Sequence, residues 1–335
     1  MRPKDLKYAI QLTINTKQNL LISGAPGIGK TDIARQVAED VCSRNGGRYM
    51  VLHPVCDDPS DWKGLGFPSA DRTSAEFLPF GNLKDMISAE SLLICLIDDV
   101  GQAPESVQAA IMQVVRERRI NGLMISEHCR FVMCTNRRGD KAGVRGIIEP
   151  LKSRCVIVDL EVNDDDWRLW ANEHGMPPEL VAFSKLRPGM LHDFKPSTDI
   201  TNSANPRGWG EVGLLQLGGV PKHLEYELFR GCCGEQFAAE YTAFLRTYRD
   251  MPDPDVFIAN PNAELPGNES TLYALASALA YKATRKTVDA IFKIAMRLDA
   301  EYSTFLVFSM IQRDKNLATV AGMAVWAQKY APYLL

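Results

Sequence analysis

Short apolar runs alternate with helical patterns through the first half of the chain. Strands covered on both faces carry nearly continuous apolar runs, and intervening helices allow such strands to lie parallel. The pattern therefore predicts an α/β fold with a central five-stranded parallel sheet. Four of the five runs are close to continuously apolar, and the five are NLLISG (19–24), RYMVLHPV (48–55), SLLICLID (91–98), CRFVMCTN (129–136) and SRCVIVDLEV (153–162).

The pattern changes after residue 162, where only helical spacing continues. Asn163 and Asn205 stand where helix caps are expected, Pro206 suits a first helical position, and Gly175 suits a helix end. A proline-rich stretch then interrupts the pattern. We therefore expect a large α/β domain, a helical domain, a linker and a C-terminal helical region, over residues 1–162, 163–250, 251–270 and 271–335 respectively.

Composition narrows the class of protein without identifying it. The 335 residues are 46% hydrophobic and 24% charged, with a net charge of -3, so the chain as a whole does not favour nucleic acid as a partner. The eight cysteines form no C-x-x-C pair and several lie in apolar runs, which indicates buried thiols in a reducing compartment. No apolar segment reaches the ~18 residues of a membrane span, and the N-terminus lacks an apolar signal core. We expect a cytoplasmic protein.

The stretch LLISGAPGIGKT (20–31) carries the clearest chemical signal. Glycines let a backbone turn tightly and approach a phosphate group, and the free N–H groups at the start of the following helix bind anions. Lys30 is expected to reach the β and γ phosphates, and the Thr31 hydroxyl to bind Mg²⁺. The pattern G-x-x-x-x-G-K-[ST] is met by Gly24, Ala25, Pro26, Gly27, Ile28, Gly29, Lys30 and Thr31.

A second signal ends the apolar run SLLICLIDDV (91–100). A nucleotide hydrolase needs one carboxylate for the magnesium shell and another to orient or deprotonate water. We assign Asp98 to the metal, through a water molecule, and Asp99 to the attacking water. Most enzymes of this type have Glu at the second position, and the shorter Asp99 predicts slow turnover.

Together these motifs resemble the AAA+ ATPases, and specifically their MoxR-like branch. The segment 57–83 resembles the family's second helix with its inserted loop, and RRINGLMI (118–125) resembles the hairpin inserted before the fourth core strand. Asn121-Gly122 is a strong type I′ turn signal within that hairpin. The resemblance covers residues 1 to about 240 and implies an AAA+ P-loop core followed by a helical lid over 163–250.

The resemblance also implies roles for polar residues outside the two motifs. Asn136 matches the family's sensor 1, Arg154 its arginine finger and Arg207 its sensor 2 at the start of a lid helix. An arginine finger acts on the phosphates of a neighbouring subunit. Arg145 is a rival candidate for that finger, and the sequence leaves the choice open.

By resemblance we expect an ATPase that binds ATP and Mg²⁺, forms a homo-oligomeric ring, usually hexameric, and remodels or activates a protein. The partner of such a protein often carries a von Willebrand A domain. The hairpin 118–125 and the insert 62–83 are the expected partner-facing parts. Two alternatives stay open: a nucleic-acid motor or loader, suggested by RERR (116–119), and a slowly hydrolysing, nucleotide-gated scaffold, suggested by Asp99.

Overall fold

The computed structural model describes residues 1–140, 146–195 and 199–330. The chain divides into two compact units, Met1–Val162 and Asn163–Leu335. The first unit contains all the strands found among the described residues, and the second is helical. Among these residues, no helix combines the length and the apolar character needed to cross a membrane.

The first unit is an α/β layer structure. Its strands are β1 (Leu20–Gly24), β2 (Arg48–Leu52), β3 (Leu65–Pro68), β4 (Ala75–Leu78), β5 (Leu93–Ile97), β6 (Arg119–Ile120), β7 (Leu123–Met124), β8 (Cys129–Asn136) and β9 (Val156–Asp159). Its helices are α1 (Pro3–Asn15), α2 (Lys30–Asn45), α3 (Pro59–Lys63), α4 (Gly81–Ile87), α5 (Glu105–Met112) and α6 (Glu149–Lys152). A π-helical turn, Gln113–Glu117, continues α5.

Five of these strands form the central sheet, in the order β2-β5-β8-β1-β9, and every neighbouring pair is parallel. The predicted α/β fold class, with a central five-stranded parallel sheet in the first unit and helices after it, is confirmed. Parallel strands joined by helices bring all their carboxyl ends to one edge of the sheet, and ligands bind at that edge in such folds.

One detail of the strand prediction needs correction. The five residues of β5 are all buried, as a continuous apolar run requires. In β9, by contrast, Val156 and Ile157 are 44% and 51% exposed, although three of its four residues are apolar. The reason is strand order, because β9 lies at the edge of the sheet and has a neighbour on one side only.

Both predicted insertions form hairpins. Between α3 and α4, β3 and β4 pair antiparallel, with Leu65 opposite Leu78. Before β8, β6 and β7 pair antiparallel around Asn121 and Gly122, whose φ angles are 47° and 82°. Two consecutive positive φ values are the signature of a type I′ turn, so the predicted turn is confirmed.

The second unit consists of helices around an aromatic cluster. The Trp209 ring lies 4.9 Å from that of Phe237 and 5.5 Å from that of Phe183 between centroids. The stretch predicted as a linker contains the short helix α12. The helices are α7 (Asp164–Glu173), α8 (Pro178–Leu186), α9 (Pro206–Leu217), α10 (Glu225–Cys233), α11 (Glu235–Asp250), α12 (Pro254–Ala259), α13 (Glu269–Tyr281), α14 (Val288–Ala295), α15 (Ala300–Arg313) and α16 (Ala321–Tyr330).

The predicted caps of this unit are confirmed. Asn163 Oδ1 accepts a hydrogen bond from the Asp166 N–H at 3.0 Å, and Asn205 Oδ1 accepts one from the Gly208 N–H at 3.0 Å. Pro206 occupies the first position of α9. Helix α7 ends at Glu173, and Gly175 follows with a φ of 67°.

Candidate nucleotide-binding site

The loop between β1 and α2 has the conformation that a phosphate-binding loop requires. Gly27 and Gly29 adopt φ angles of 73° and 92°, in the left-handed region that L side chains rarely enter. The side chains of Ala25 and Ile28 are buried in the core and anchor the loop. Gly29 has no side chain with which to cap α2, so the N–H groups of its first turn are left for an anion.

Lys30 lies inside this loop and is 7% exposed. Its ammonium group donates to the carbonyl oxygens of Gly24 at 3.0 Å and Ala25 at 2.8 Å, and to Asn136 Oδ1 at 2.8 Å. A buried cation requires such partners, because losing water is otherwise costly. The contacts hold the ammonium at the mouth of the loop, where it can exchange these oxygens for phosphate oxygens.

Thr31 and Asp98 form the second part of the site. Thr31 Oγ1 donates to Asp98 Oδ1 at 2.8 Å, and the same oxygen accepts from the Asp99 N–H at 3.0 Å. The Asp98 N–H donates to the carbonyl of Leu52 at 2.8 Å, which ties the end of β5 to β2. A hydroxyl and a carboxylate in contact are hard oxygen donors of the kind that Mg²⁺ prefers, so the residues fit this ion.

Asn136 connects the two halves of the site. Its Nδ2 donates to Asp99 Oδ1 at 3.3 Å, while its Oδ1 accepts from Lys30. The two contacts define the amide orientation, because a flip would place N–H groups against the ammonium and the oxygen against the carboxylate. The parallel pairing of Gly24 with Asn136 brings the residue beside the loop.

The structure therefore brings together Lys30, Thr31, Asp98, Asp99 and Asn136, all at the carboxyl edge of the sheet. Arg154 lies elsewhere, because it precedes β9 and Val156 pairs with Leu20 at the start of β1. Arg154 therefore lies at the amino edge of the sheet, and the length of β1 separates that edge from the loop by about 15 Å. The Arg154 guanidinium donates to the Pro150 carbonyl at 2.6 Å and to Ser153 Oγ at 3.3 Å.

The other two arginine predictions, Arg207 and Arg145, stay untested. Arg207 is exposed at the second position of α9, in the second unit, and its role stays a prediction. Arg145, the rival finger, lies outside the described residues.

Sequence reasoning missed two neighbours of the site. Cys134 in β8 is buried, and burial, followed by the charge of Asp98, raises the pKa of its thiol to about 12. Arg137 follows Asn136 and forms an ion pair with Asp159 at the end of β9. The pairing of Arg137 with Asp159 depends on the strand order, which the spacing of the two residues along the chain does not predict.

Comparisons with known proteins add little to this geometry. No family model and no curated protein matches the chain. Among solved structures it is similar to NtrX from Brucella abortus (15% identity, 98% of this chain, 67% of that chain, TM-score 0.37). It is also similar to AMPPCP-bound DnaA from Aquifex aeolicus (16% identity, 98% of this chain, 93% of that chain, TM-score 0.39). A third similar structure is the Thermotoga maritima RuvB Holliday junction branch migration motor (14% identity, 99% of this chain, 86% of that chain, TM-score 0.36).

Proposed function

We propose that the chain is an ATP-binding and ATP-hydrolysing AAA+ protein of the MoxR-like type. The observation that carries the proposal is the contact network of Lys30, Thr31, Asp98, Asp99 and Asn136 around a glycine-rich loop at the carboxyl edge of a parallel sheet. An ammonium, a hydroxyl, two carboxylates and an amide together meet the needs of phosphoryl transfer, which depends on positioning and charge stabilisation.

Each residue has a defined task in this proposal. Lys30 pairs with the β and γ phosphates, and Thr31 and Asp98 would hold Mg²⁺. The ion, when bound, would neutralise charge on the phosphate oxygens. Asp99 orients and deprotonates the attacking water, and Asn136 keeps that water and Asp99 in line with the γ-phosphate.

The direct test is ATP binding by a Lys30→Ala variant, followed with a fluorescent ATP analogue. We expect affinity to fall by about 10- to 100-fold, the value of losing a charge-assisted hydrogen bond to a phosphate. Lys17→Ala removes an exposed lysine in the same unit and serves as the control. Thermal unfolding of both variants checks that the fold is retained, and unchanged affinity in folded Lys30→Ala would reject the assignment.

A slowly hydrolysing, nucleotide-gated scaffold is the second candidate, and the position of Asp99 supports it. The carboxylate is engaged by Asn136 at 3.3 Å and is about 1.5 Å shorter in reach than the usual Glu. Misplacement of that order can lower a rate by about 100-fold. Single-turnover and steady-state rates of ATP hydrolysis separate a slow chemical step from slow product release.

The proposed partner is a protein, of the kind that carries a von Willebrand A domain. The β3–β4 hairpin supports a protein contact, because it exposes four large apolar side chains, each 40–49% exposed: Leu65, Phe67, Phe77 and Leu78. A nucleic-acid partner gains less support. In the RERR stretch, Arg118 turns inward, donates to the Cys129 carbonyl at 3.0 Å and lies over the Phe131 ring.

Co-expression tests the partner proposal. If a von Willebrand A domain protein is encoded beside this chain, it should co-purify with the wild-type chain and not with a Phe67→Ser, Phe77→Ser double variant. The double variant should bind ATP as the wild type does, because these side chains lie in the insert and not in the phosphate loop. Equal recovery of the partner with both proteins would reject the hairpin as the contact.

A further inference from the structure

The carboxyl end of β1, where the phosphate loop begins, lies between the ends of two other strands. Gly24 of β1 pairs with Asn136 of β8, and Ser23 pairs with Asp159 of β9. The side chain of Arg137 crosses this end of β1 to reach Asp159. Neighbouring strands are about 4.8 Å apart, so the contact bridges two spacings, about 10 Å.

The contact is a two-bond fork. Arg137 Nε donates to Asp159 Oδ1 at 2.9 Å, and Nη2 donates to Asp159 Oδ2 at 2.6 Å and to the Leu160 carbonyl at 3.1 Å. Parallel bonds of this kind fix the direction of both side chains, which a lysine ammonium cannot do. The hydrogen bonds to Asp159 also raise the pKa of Arg137.

The fork holds parts of the site on both sides of β1. On one side it anchors the residue next to Asn136. On the other it holds Leu160, whose N–H donates to the Ser23 carbonyl at 2.7 Å. The Leu160 carbonyl lies 3.0 Å from the point where a Cβ on Gly24 would stand, so Leu160 packs directly against the start of the phosphate loop.

We propose that Arg137 is a positioning residue for ATP hydrolysis, acting through its fork to Asp159 to hold Asn136 against Lys30 and Asp99. This inference rests on the proposed ATPase function. The side chains of Arg137 and Asp159 are 37% and 54% exposed, and ion pairs of that exposure add little to stability. Loss of the fork therefore acts on the geometry of the site, where an error near 1 Å can cost about 100-fold in rate.

Steady-state kinetics of Arg137→Ala and Asp159→Ala test the proposal. Each should lower kcat for ATP hydrolysis by about 10- to 100-fold and change KM for ATP by less than about threefold. The Ala–Ala double variant should lose no more than either single variant, because both remove the same contact. Arg137→Asp combined with Asp159→Arg should recover part of the loss. Arg44→Ala, which breaks the ion pair with Asp40 in the last turns of α2, is the control and should keep wild-type kcat.

Several results would overturn the proposal. These are wild-type kcat in both single variants, additive losses in the double variant, no recovery by the charge exchange, or a raised KM at unchanged kcat. The last would mean that Arg137 contacts the nucleotide itself.

Hydrogen exchange without nucleotide separates this inference from the ATPase proposal. Peptides covering 129–137 and 156–162 should exchange faster in Arg137→Ala and Asp159→Ala than in the wild type and in Arg44→Ala. Unchanged exchange rates in both variants would overturn the positioning role of the fork, whatever the ATPase activity. A wild-type chain that neither binds nor hydrolyses ATP overturns the proposed function instead.

Discussion

Asp99 follows β5 with a φ of 53°, in the left-handed region, so the chain turns sharply at the residue that we assign to water activation. The turn leaves the Asp99 carboxylate beside Asn136 and the Asp98 carboxylate beside Thr31. Two adjacent acids thus contact different partners, which supports different tasks for them.

At this residue scale, Asp99→Asn should retain ATP binding and lose most hydrolysis, because an amide cannot accept the proton of water. Asp99→Glu should keep or raise turnover, since it restores the usual reach. Both are measured by phosphate release alongside binding of a fluorescent ATP analogue. Hydrolysis by Asp99→Asn at the wild-type rate would show that another group activates the water.

The Cys134 thiol should be inert in the folded protein despite its position behind the site. The thiolate is the reactive form, and a pKa raised to about 12 leaves the group protonated at pH 8. Treatment with N-ethylmaleimide at that pH, followed by peptide mass spectrometry, should modify the exposed Cys56 and spare Cys134. Modification of Cys134 at a similar rate would mean that β8 opens readily.

At the scale of elements, α9 begins where its local sequence predicts. Its start is defined by Asn205 as cap and Pro206 in the first turn, and Trp209 one turn later packs in the aromatic cluster of the second unit. The cap therefore supports both the helix and the position of Arg207 on its first turn.

Asn205→Ala should lower the free energy of unfolding by about 1 kcal/mol, because it removes the acceptor for the Gly208 N–H. Asn205→Asp keeps an acceptor oxygen and should recover most of that loss. Denaturant unfolding followed by tryptophan fluorescence measures both, since Trp167, Trp170 and Trp209 lie in this unit. Equal stability of Asn205→Ala and the wild type would mean that water replaces the cap at no cost.

At the scale of the whole molecule, the proposed role of Arg154 as an arginine finger requires a site shared between subunits. Arg154 lies at the amino edge of the sheet, about 15 Å from its own phosphate loop. A guanidinium at that distance cannot touch a phosphate held by its own loop. In a ring it could meet the γ-phosphate of a neighbour.

Arg154→Ala should therefore bind ATP normally and hydrolyse it at least about 1000-fold more slowly. Activity per chain should also rise with protein concentration as rings assemble. Mixing Arg154→Ala with Asp99→Asn should restore some turnover, because some interfaces would pair an intact Arg154 with an intact Asp99. An inactive mixture under conditions where subunits exchange would exclude Arg154 as the finger.

Local patterns in the sequence determined much of this protein. Apolar runs predicted the five strands of the central sheet, glycine spacing predicted the tight loop between β1 and α2, and Asn163, Asn205 and Asn121-Gly122 predicted caps and a turn. These features were predictable because each depends on residues within a few positions of one another, through side-chain packing, hydrogen bonding or allowed φ angles.

Only the tertiary structure decided which distant residues meet. The order β2-β5-β8-β1-β9 exposes β9 despite its apolar run and brings Arg137 to Asp159, 22 positions along the chain. The folded structure also places Arg118 over the Phe131 ring, a contact that its charged neighbours in the sequence do not reveal. Strand order is set by the packing of the whole core, and no spacing of residue types in one segment encodes it.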